Sequence, residues 1–200
     1  VKLRRTSRGR DDHGRTELHW TVHFNEPGAC KTLLTNSSVD CNAIDMRERS
    51  PLYYSVWMNR PECFTLLLKA GADPNNADRN AVSALHMAAW TGRTQFVRDL
   101  LLAKANPSTR EFIHSRTPLH LAATFGNAEC IRLLTATGLE IDSMDRHHGT
   151  PLSYAIREDN RECALALIDE GASLSLVHDS ILPLPDWVPN PANELKKKKI

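Results

Sequence analysis

A four-residue pattern recurs at nearly constant spacing along this chain and constrains its fold more than any other feature. The clearest copy is Thr117-Pro118-Leu119-His120, which is followed by a Leu-Ala-Ala stretch. Related copies begin at Thr16, Ser50, Ser83 and Thr150, so that successive first residues are separated by 34, 33, 34 and 33 positions. A fixed period of this length indicates one structural unit that is repeated five times.

Each unit has the composition of two short helices joined by turns. The Thr or Ser can cap free backbone N–H groups, and Pro fits the first position of a helix. About 17 residues later every copy has an apolar pair or triple, such as Leu66-Leu67-Leu68. Glycines such as Gly92 and Gly71 follow the predicted first and second helices. A single unit cannot bury its own leucines, so neighbouring units are expected to stack.

The T-P-L-H-x-A core at a period near 33 resembles the ankyrin-repeat family. The resemblance implies an all-α solenoid of stacked helix-turn-helix units with hairpin-like turns. The predicted repeats cover about 11–44, 45–77, 78–111, 112–144 and 145–175. A basic tail over 1–10 precedes them, and 176–200 is expected to be a C-terminal cap or a linker that ends in a second basic tail.

The repeat pattern fails after Ser175. Pro185 lies inside the first helix that a sixth unit would have. We expect Trp187 to cover the apolar face of the last repeat, because the end of a solenoid needs such a cover. A short helix could run from Pro191 into the lysines. The alternative to a cap is a linker to a downstream domain.

Charge is segregated along the chain. The formal net charge is +1, but residues 1–10 carry +5, residues 196–199 carry +4 and residues 11–195 carry −8. The tails are interpreted as solvated termini, with a nuclear-import signal or a contact to a polyanion as the alternatives. No apolar run approaches the ~18 residues of a membrane span, and no secretory signal pattern is present. We therefore expect an intracellular protein, cytoplasmic or nuclear, and the initial Val1 suggests a piece of a longer chain.

The cysteines and histidines follow the repeat. Cys63, Cys130 and Cys163 each lie 13 residues after the first residue of their unit, and Cys30 lies 14 after. Packed helices are about 8–10 Å apart, too far for a disulfide, so Cys130 and Cys163 are predicted to be small buried apolar residues. The histidines at the fourth pattern position are His19, His86 and His120. The family resemblance implies that they bond to the turn between units.

No catalytic motif is found. The sequence has no glycine-rich phosphate loop, no G-x-S-x-G and no H-E-x-x-H. We predict that the chain is not an enzyme and has no cofactor, no metal and no small-molecule substrate.

The resemblance also implies where a partner would bind. In ankyrin proteins the turn tips and the inner helices line a concave groove. The positions seven and eight residues after the pattern start include Phe24, Trp57, Trp90 and Phe125, one aromatic in each of four units. Large exposed aromatics are common anchors of interfaces. Packing of these rings on a neighbouring helix is the alternative, and Trp20, one turn earlier, is predicted to be core.

The predicted groove also collects arginine. Its positions hold eight Arg against three acids, Asp12, Glu111 and Glu158, a sum of +5. Arginine with interleaved aromatics suits an acidic, partly apolar segment of a protein partner. The candidate partner-binding residues are Phe24, Met46, Arg47, Trp57, Met58, Arg79, Asn80, Trp90, Ile113, His114, Arg116, Phe125, Arg146, His147 and Arg157. Among them Trp57, Trp90 and Phe125 are predicted as anchors, and Arg47, Arg79, Arg116 and Arg146 as carboxylate contacts.

The fourth unit departs from the pattern. Phe112 replaces the usual Asp five residues before Thr117, and the turn is one residue longer. Phe112, Ile113 and His114 form an apolar bump that is either a local repacking or part of the binding site.

Three functions remain open. The first is a non-enzymatic recognition module or scaffold that binds another protein. The second is a targeting segment of a larger enzyme, such as a ubiquitin ligase or a kinase. A nucleic-acid or chromatin module is disfavoured, because the repeats are acidic overall and Lys is nearly absent from the groove positions.

Overall fold

The structure is a computed structural model that describes residues 9–177 and 183–189. This part of the chain contains ten α-helices, a single 3-10 turn and no strand, so the predicted all-α repeat architecture is confirmed. The helices are α1 (Glu17–His23), α2 (Pro27–Leu34), α3 (Pro51–Trp57), α4 (Pro61–Lys69), α5 (Ala84–Trp90), α6 (Thr94–Leu102), α7 (Pro118–Thr124), α8 (Ala128–Thr135), α9 (Pro151–Arg157) and α10 (Arg161–Asp169). Within the described ranges, none of the helices combines the length and apolar character needed to span a membrane.

The helices form two layers. The inner helices stack in chain order, α1 on α3, α3 on α5, α5 on α7 and α7 on α9. The outer helices α2, α4, α6, α8 and α10 cover them, and the rings of Phe64 in α4 and Phe96 in α6 lie 4.6 Å apart between centroids. Each inner helix has seven residues. A helix this short is unstable alone, so the stack supplies its stability.

The recurring pattern explains where the inner helices begin. The hydroxyl of Ser50 accepts a hydrogen bond from the N–H of Tyr53 at 3.2 Å, and Thr150 does the same for Ser153 at 3.2 Å. The leucines of the pattern are all buried in the core: Leu18, Leu52, Leu85, Leu119 and Leu152. Trp20 is different, because it lies outside this core, half-buried between the Arg15 guanidinium and the ring of Phe24.

The pattern histidines connect one repeat to the next. In His120, Nδ1 lies 3.2 Å from the backbone N of Thr117, and Nε2 lies 3.1 Å from the carbonyl oxygen of Gly149. His19 and His86 make the same two contacts, with Nε2 on Arg49 and on Arg116. Burial lowers the pKa of His120 to about 4, which favours the neutral ring that donates through Nε2. The structural role implied by the resemblance is confirmed.

The cysteines pack as apolar residues. Cys30, Cys63, Cys130 and Cys163 are buried, and all are free thiols. Burial raises the pKa of the Cys63 thiol to about 12 and that of Cys163 to about 11. These side chains are therefore protonated at neutral pH, in agreement with the prediction for Cys130 and Cys163.

The segment 183–189 lies on the fifth repeat. Val188 is buried, Leu184 and Trp187 pack against the core, and the Arg161 guanidinium lies 5.4 Å from the centroid of the Trp187 ring. The role of this segment as a cap stays a prediction. Both basic tails, apart from Gly9 and Arg10, and the helix predicted from Pro191 lie outside the described residues.

Candidate functional site

The four groove aromatics stand at the ends of successive inner helices. Trp57 and Trp90 are the last residues of α3 and α5, and Phe24 and Phe125 are the residues that follow α1 and α7. Their exposed fractions are 51% for Phe24, 42% for Trp57, 45% for Trp90 and 51% for Phe125. The ring centroids of Trp90 and Phe125 lie 5.5 Å apart. Each of these side chains packs against neighbouring residues on one side and leaves about half of its surface exposed to solvent.

Side chains of the following repeat fix the backbone that carries these rings. The amide of Asn127 donates to the carbonyls of Ala89 and Trp90 at 2.8 and 2.9 Å. Arg93 donates to the carbonyls of Val56 and Trp57. We call the residues in this position, ten after each pattern start, the braces: Arg60, Arg93, Asn127 and Asn160. The braces are not among the residues predicted from the sequence, although Arg or Asn recurs at this position in four units.

Three of the predicted groove arginines belong to structural clamps. Arg49 Nη2 lies 2.6 Å from Asp45 Oδ2, and the Tyr54 hydroxyl donates to the same oxygen at 2.9 Å. Arg15 pairs with Asp11 at 2.8 Å. Burial by itself would raise the pKa of Asp45, but hydrogen bonds from Arg49 and Tyr54 hold it below its ordinary value. Such a carboxylate stays ionised and keeps its arginine occupied.

Arg116 makes the third clamp across a repeat boundary. Its Nη2 donates to the Tyr154 hydroxyl at 2.8 Å, and its Nε lies 3.4 Å from Asp145 Oδ2. We predicted Arg116 as a contact for a partner's carboxylate. The structure instead places it against Asp145 and Tyr154, where its charge is already matched.

Two further arginines tie neighbouring turn tips together. Arg146 donates to the carbonyls of Ile113 and Phe112, both at 2.8 Å, and Arg79 donates to the carbonyl of Met46. The backbone N–H of Arg79 also donates to the carbonyl of Arg47 at 3.0 Å. A carbonyl does not neutralise a guanidinium, so Arg79 and Arg146 keep their formal charge at exposed tips.

Arg47 and Arg157 have different surroundings. Arg157 pairs with Glu158 at 2.9 Å and stacks over the Tyr154 ring. The guanidinium of Arg47 is exposed and has no hydrogen-bond or ion-pair partner among residues 9–177 and 183–189. Of the predicted carboxylate contacts, Arg47 is therefore the one most available to a ligand.

The groove carries less net positive charge than its selected positions indicate. The selected positions sum to +5 because they leave out the turn aspartates five residues before each pattern start. Four units have one: Asp11, Asp45, Asp78 and Asp145. Including them reduces the sum from +5 to +1. The groove is thus close to neutral as a whole, and its positive charge is local.

A pocket of about 430 Å³ opens between the second and third repeats. Trp57 and Trp90 are among its walls, and Arg47 and Arg79 come from the tips beside it. Its full lining is Arg47, Arg49, Tyr53, Trp57, Asp78, Arg79, Asn80, Met87 and Trp90. A neighbouring pocket of about 530 Å³ between the first and second tips shares Arg47, Arg49 and Arg79. We call the first of these the Trp pocket.

The Trp pocket is lined by both apolar and charged side chains. Tyr53 and Met87 are buried beneath it. Burial, with the nearby charge of Asp78 as a second cause, raises the pKa of Tyr53 to about 12. The Tyr53 hydroxyl therefore keeps its proton and can donate it in a hydrogen bond.

The structure gathers some predicted residues and separates others. Arg47, Trp57, Arg79, Asn80 and Trp90 line the Trp pocket. Phe125 packs against Trp90 but is not part of the lining. Ile113, His114, Arg146 and His147 lie on the fourth and fifth tips, where the two histidine rings are 5.6 Å apart. Met46 is exposed at the second tip, next to Arg79. Met58 is half-buried and packs against the core, so little of it can reach a partner.

Glu111 explains the irregular fourth tip. Its carboxylate accepts hydrogen bonds from the backbone N–H groups of Ile113 at 2.7 Å, His114 at 2.8 Å and Arg116 at 3.2 Å. In the other repeats an Asp accepts these turn hydrogen bonds, and Glu111 replaces it from one position earlier in the sequence. Its longer side chain spans the extra residue of this turn. We counted Glu111 as a groove acid, but it is buried inside the turn. The hairpin is thus repacked locally, while Phe112 and Ile113 remain exposed.

Comparison with known protein families agrees with the repeat architecture. The profile described as "Ankyrin repeats (3 copies)" matches residues 3–78 and 85–177. A second profile, "Ankyrin repeats (many copies)", matches residues 59–101. Ankyrin repeats are general protein–protein interaction modules.

Proposed function

The chain belongs to the ankyrin-repeat family, and we propose that it binds an acidic, partly apolar segment of a partner protein in its concave groove. It would act inside the cell as a non-enzymatic scaffold or adaptor. The observation that carries this proposal is the Trp pocket, in which exposed Trp57 and Trp90 stand beside Arg47 and Arg79.

The two tryptophans suit the role of anchors. Their backbone is held by Arg93 and Asn127, so binding orders little that is not already ordered. Covering a half-exposed indole with an apolar side chain removes a large area from water. Truncating such an anchor costs about 2 kcal/mol or more in binding free energy.

The arginines suit a carboxylate close to those anchors. Arg47 has its guanidinium free, and Arg79 uses one of its N–H groups on the Met46 carbonyl and retains the others. A guanidinium forms paired hydrogen bonds with a carboxylate, and apolar walls strengthen them by excluding water. Acidic residues next to apolar ones in a partner would meet both requirements.

The test is a selection from a display library of random peptides of about 15 residues, long enough to run along five repeats at ~3.3 Å per residue. We expect the selected peptides to be enriched in Asp or Glu beside Leu, Phe or Trp. Their affinity should fall at least about 30-fold for Trp90→Ala, the equivalent of about 2 kcal/mol.

Leu102→Ala provides the matched control. Leu102 is also a large exposed apolar residue, but it ends the outer helix α6, away from the groove. Its truncation should leave peptide affinity unchanged, and circular dichroism should show both variants folded. Selected peptides that are basic, or that bind Trp90→Ala as well as the unaltered protein, would overturn the proposal. Binding of nucleic acid in preference to any peptide would do the same.

A further inference from the structure

Asp78 differs from the turn aspartates of the other repeats. Asp11, Asp45 and Asp145 each meet an arginine within 3.4 Å. In the third repeat, Val82 and Met87 stand at the positions that Arg49 and Tyr54 occupy in the second. Asp78 Oδ1 accepts from the backbone N–H groups of Asn80 and Val82, each at 2.9 Å. Across the described ranges no arginine forms an ion pair with Asp78, so its carboxylate lacks the partner that the other three turn aspartates have.

The Asp78 carboxylate belongs to the lining of the Trp pocket. Three arginines line the pocket, Arg47, Arg49 and Arg79, and Asp78 is the acidic residue of the lining. Asp45 is not part of the lining, but its carboxylate forms an ion pair with Arg49 and is therefore included in the charge sum. Three positive and two negative charges leave +1. A single carboxylate, at −1, brings the occupied pocket to neutrality.

A phosphorylated side chain would not neutralise the net charge of +1 in this way. Phosphoserine carries about −1.5 to −2 at neutral pH, so it would leave the pocket with excess negative charge beside Asp78. The indoles of Trp57 and Trp90 and the buried Met87 reduce the local dielectric response, which makes a nearby like charge more costly than in open solvent. Specificity can come from such a repulsive group as well as from attraction.

We infer that the Trp pocket takes one carboxylate of the bound segment, and that Asp78 is the specificity-determining residue that disfavours a phosphorylated side chain there. This inference rests on the proposed function. It assigns the partner segment a particular chemistry, an Asp or Glu that is recognised without phosphorylation. A phosphorylated Ser or Thr at the position of that Asp or Glu would not be an equivalent ligand.

The experiment uses the tightest-binding acidic peptide from the selection, prepared with Glu, Gln or phosphoserine at the acidic position that contributes most. Fluorescence anisotropy at pH 7.5 gives each affinity for the unaltered chain and for Asp78→Asn. Asn keeps the Oδ1 acceptor for the Asn80 and Val82 N–H groups, so the turn is preserved. We expect the unaltered chain to prefer Glu over phosphoserine. In Asp78→Asn, phosphoserine should gain at least about threefold relative to Glu, the scale of one partly screened charge interaction.

Asp73→Asn is the control. Asp73 Oδ1 accepts from the Asn75 N–H at 2.9 Å, the same role in a turn, but Asp73 is not in the pocket lining. Its substitution should leave the ratio of the two affinities unchanged. The inference fails if the unaltered chain binds phosphoserine as well as Glu, or if Asp78→Asn leaves the ratio unchanged, while Trp90→Ala still weakens binding by about 30-fold or more. If no selected peptide depends on Trp90, the proposed function fails and the inference fails with it.

Discussion

The guanidinium of Arg116 reaches across a repeat boundary and donates a hydrogen bond to the hydroxyl of Tyr154 at 2.8 Å. In the second repeat the equivalent bond, from Arg49 to Tyr54, is made within one unit. The fifth repeat has Gly149 where Arg49 stands, and a Cβ there would lie 2.8 Å from the Tyr154 ring. The neighbouring repeat therefore supplies the arginine that the fifth repeat lacks.

Loss of this arginine should destabilise the array. We expect Arg116→Ala to lower the free energy of unfolding by about 1–3 kcal/mol, because buried Asp145 and Tyr154 lose a charged partner. Urea titrations of Arg116→Ala, Tyr154→Phe and the double variant give the coupling between the two side chains. Arg47→Ala is the matched control and should stay within about 0.5 kcal/mol of the unaltered chain. Equal stabilities for the two alanine variants would contradict the clamp.

Two glycines separate the cost of backbone conformation from the cost of crowding. Gly71 has φ +85°, and a Cβ added to it would have no atom within 4 Å, whereas Gly92 has φ +68° and its Cβ would lie 2.4 Å from Asn127 Oδ1. Both Ala variants should lose about 1 kcal/mol from the left-handed conformation. Gly92→Ala should lose about 1–2 kcal/mol more, because Asn127 must give up its bonds to Ala89 and Trp90.

Thermal or urea unfolding of the two variants measures this difference. Gly92→Ala should also weaken peptide binding, since it displaces the brace behind Trp90, whereas Gly71→Ala should not. Similar losses of stability for both variants would show that the Asn127 side chain moves aside at no cost.

Stability should fall as the pH falls from 7.5 to 5. Burial lowers the pKa of His120 to about 4 from an ordinary value of 6.5, so between these values the unfolded chain binds a proton that the folded chain does not. The contribution of His120 is complete above pH 6.5 and decreases as the pH drops toward about 4. At pH 5 the loss from this residue is about 2 kcal/mol.

Burial also lowers the pKa values of His19 and His86, which act in the same direction. Urea unfolding at pH 7.5 and 5, in the unaltered chain and in His120→Gln, isolates the share of His120. The variant should show a smaller difference between the two pH values, whatever its own stability. An identical difference in both proteins would exclude His120 as a source of the pH dependence.

The fold could be predicted from the sequence because its signals repeat. Caps such as Ser50, leucines such as Leu119 and the bridging His120 recur in register, and each recurrence strengthens the others. The exposure of Trp57 and Trp90 followed from the same register, since their positions lie just beyond the buried part of each inner helix. Trp20 could not be placed this way, because its half-burial depends on Arg15 stacking over it at 4.1 Å.

The electrostatics of the groove could not be predicted from selected positions. The sign of a side chain is visible in a sequence, but its partner is not. Arg116 pairs with Asp145, 29 residues away in the sequence. The carboxylate of Glu111 accepts backbone hydrogen bonds within its own hairpin. Charge that is consumed by the scaffold in this way cannot also be offered to a ligand, which is why the selected sum of +5 overstated the positive character of the groove.

The braces have a consequence for how the chain is made on the ribosome. The carbonyl of Ala89 lies in the last turn of α5, and the amide that donates to it belongs to Asn127, 38 residues later. The Nε2 atom of His86 likewise bonds to the carbonyl of Arg116, 30 residues later. Because synthesis proceeds from the N-terminus, each of the first four units leaves the exit tunnel before the side chain that bonds the end of its inner helix. We therefore expect each of these four repeats to complete its inner helix only after its successor has emerged, one unit behind the growing end of the chain.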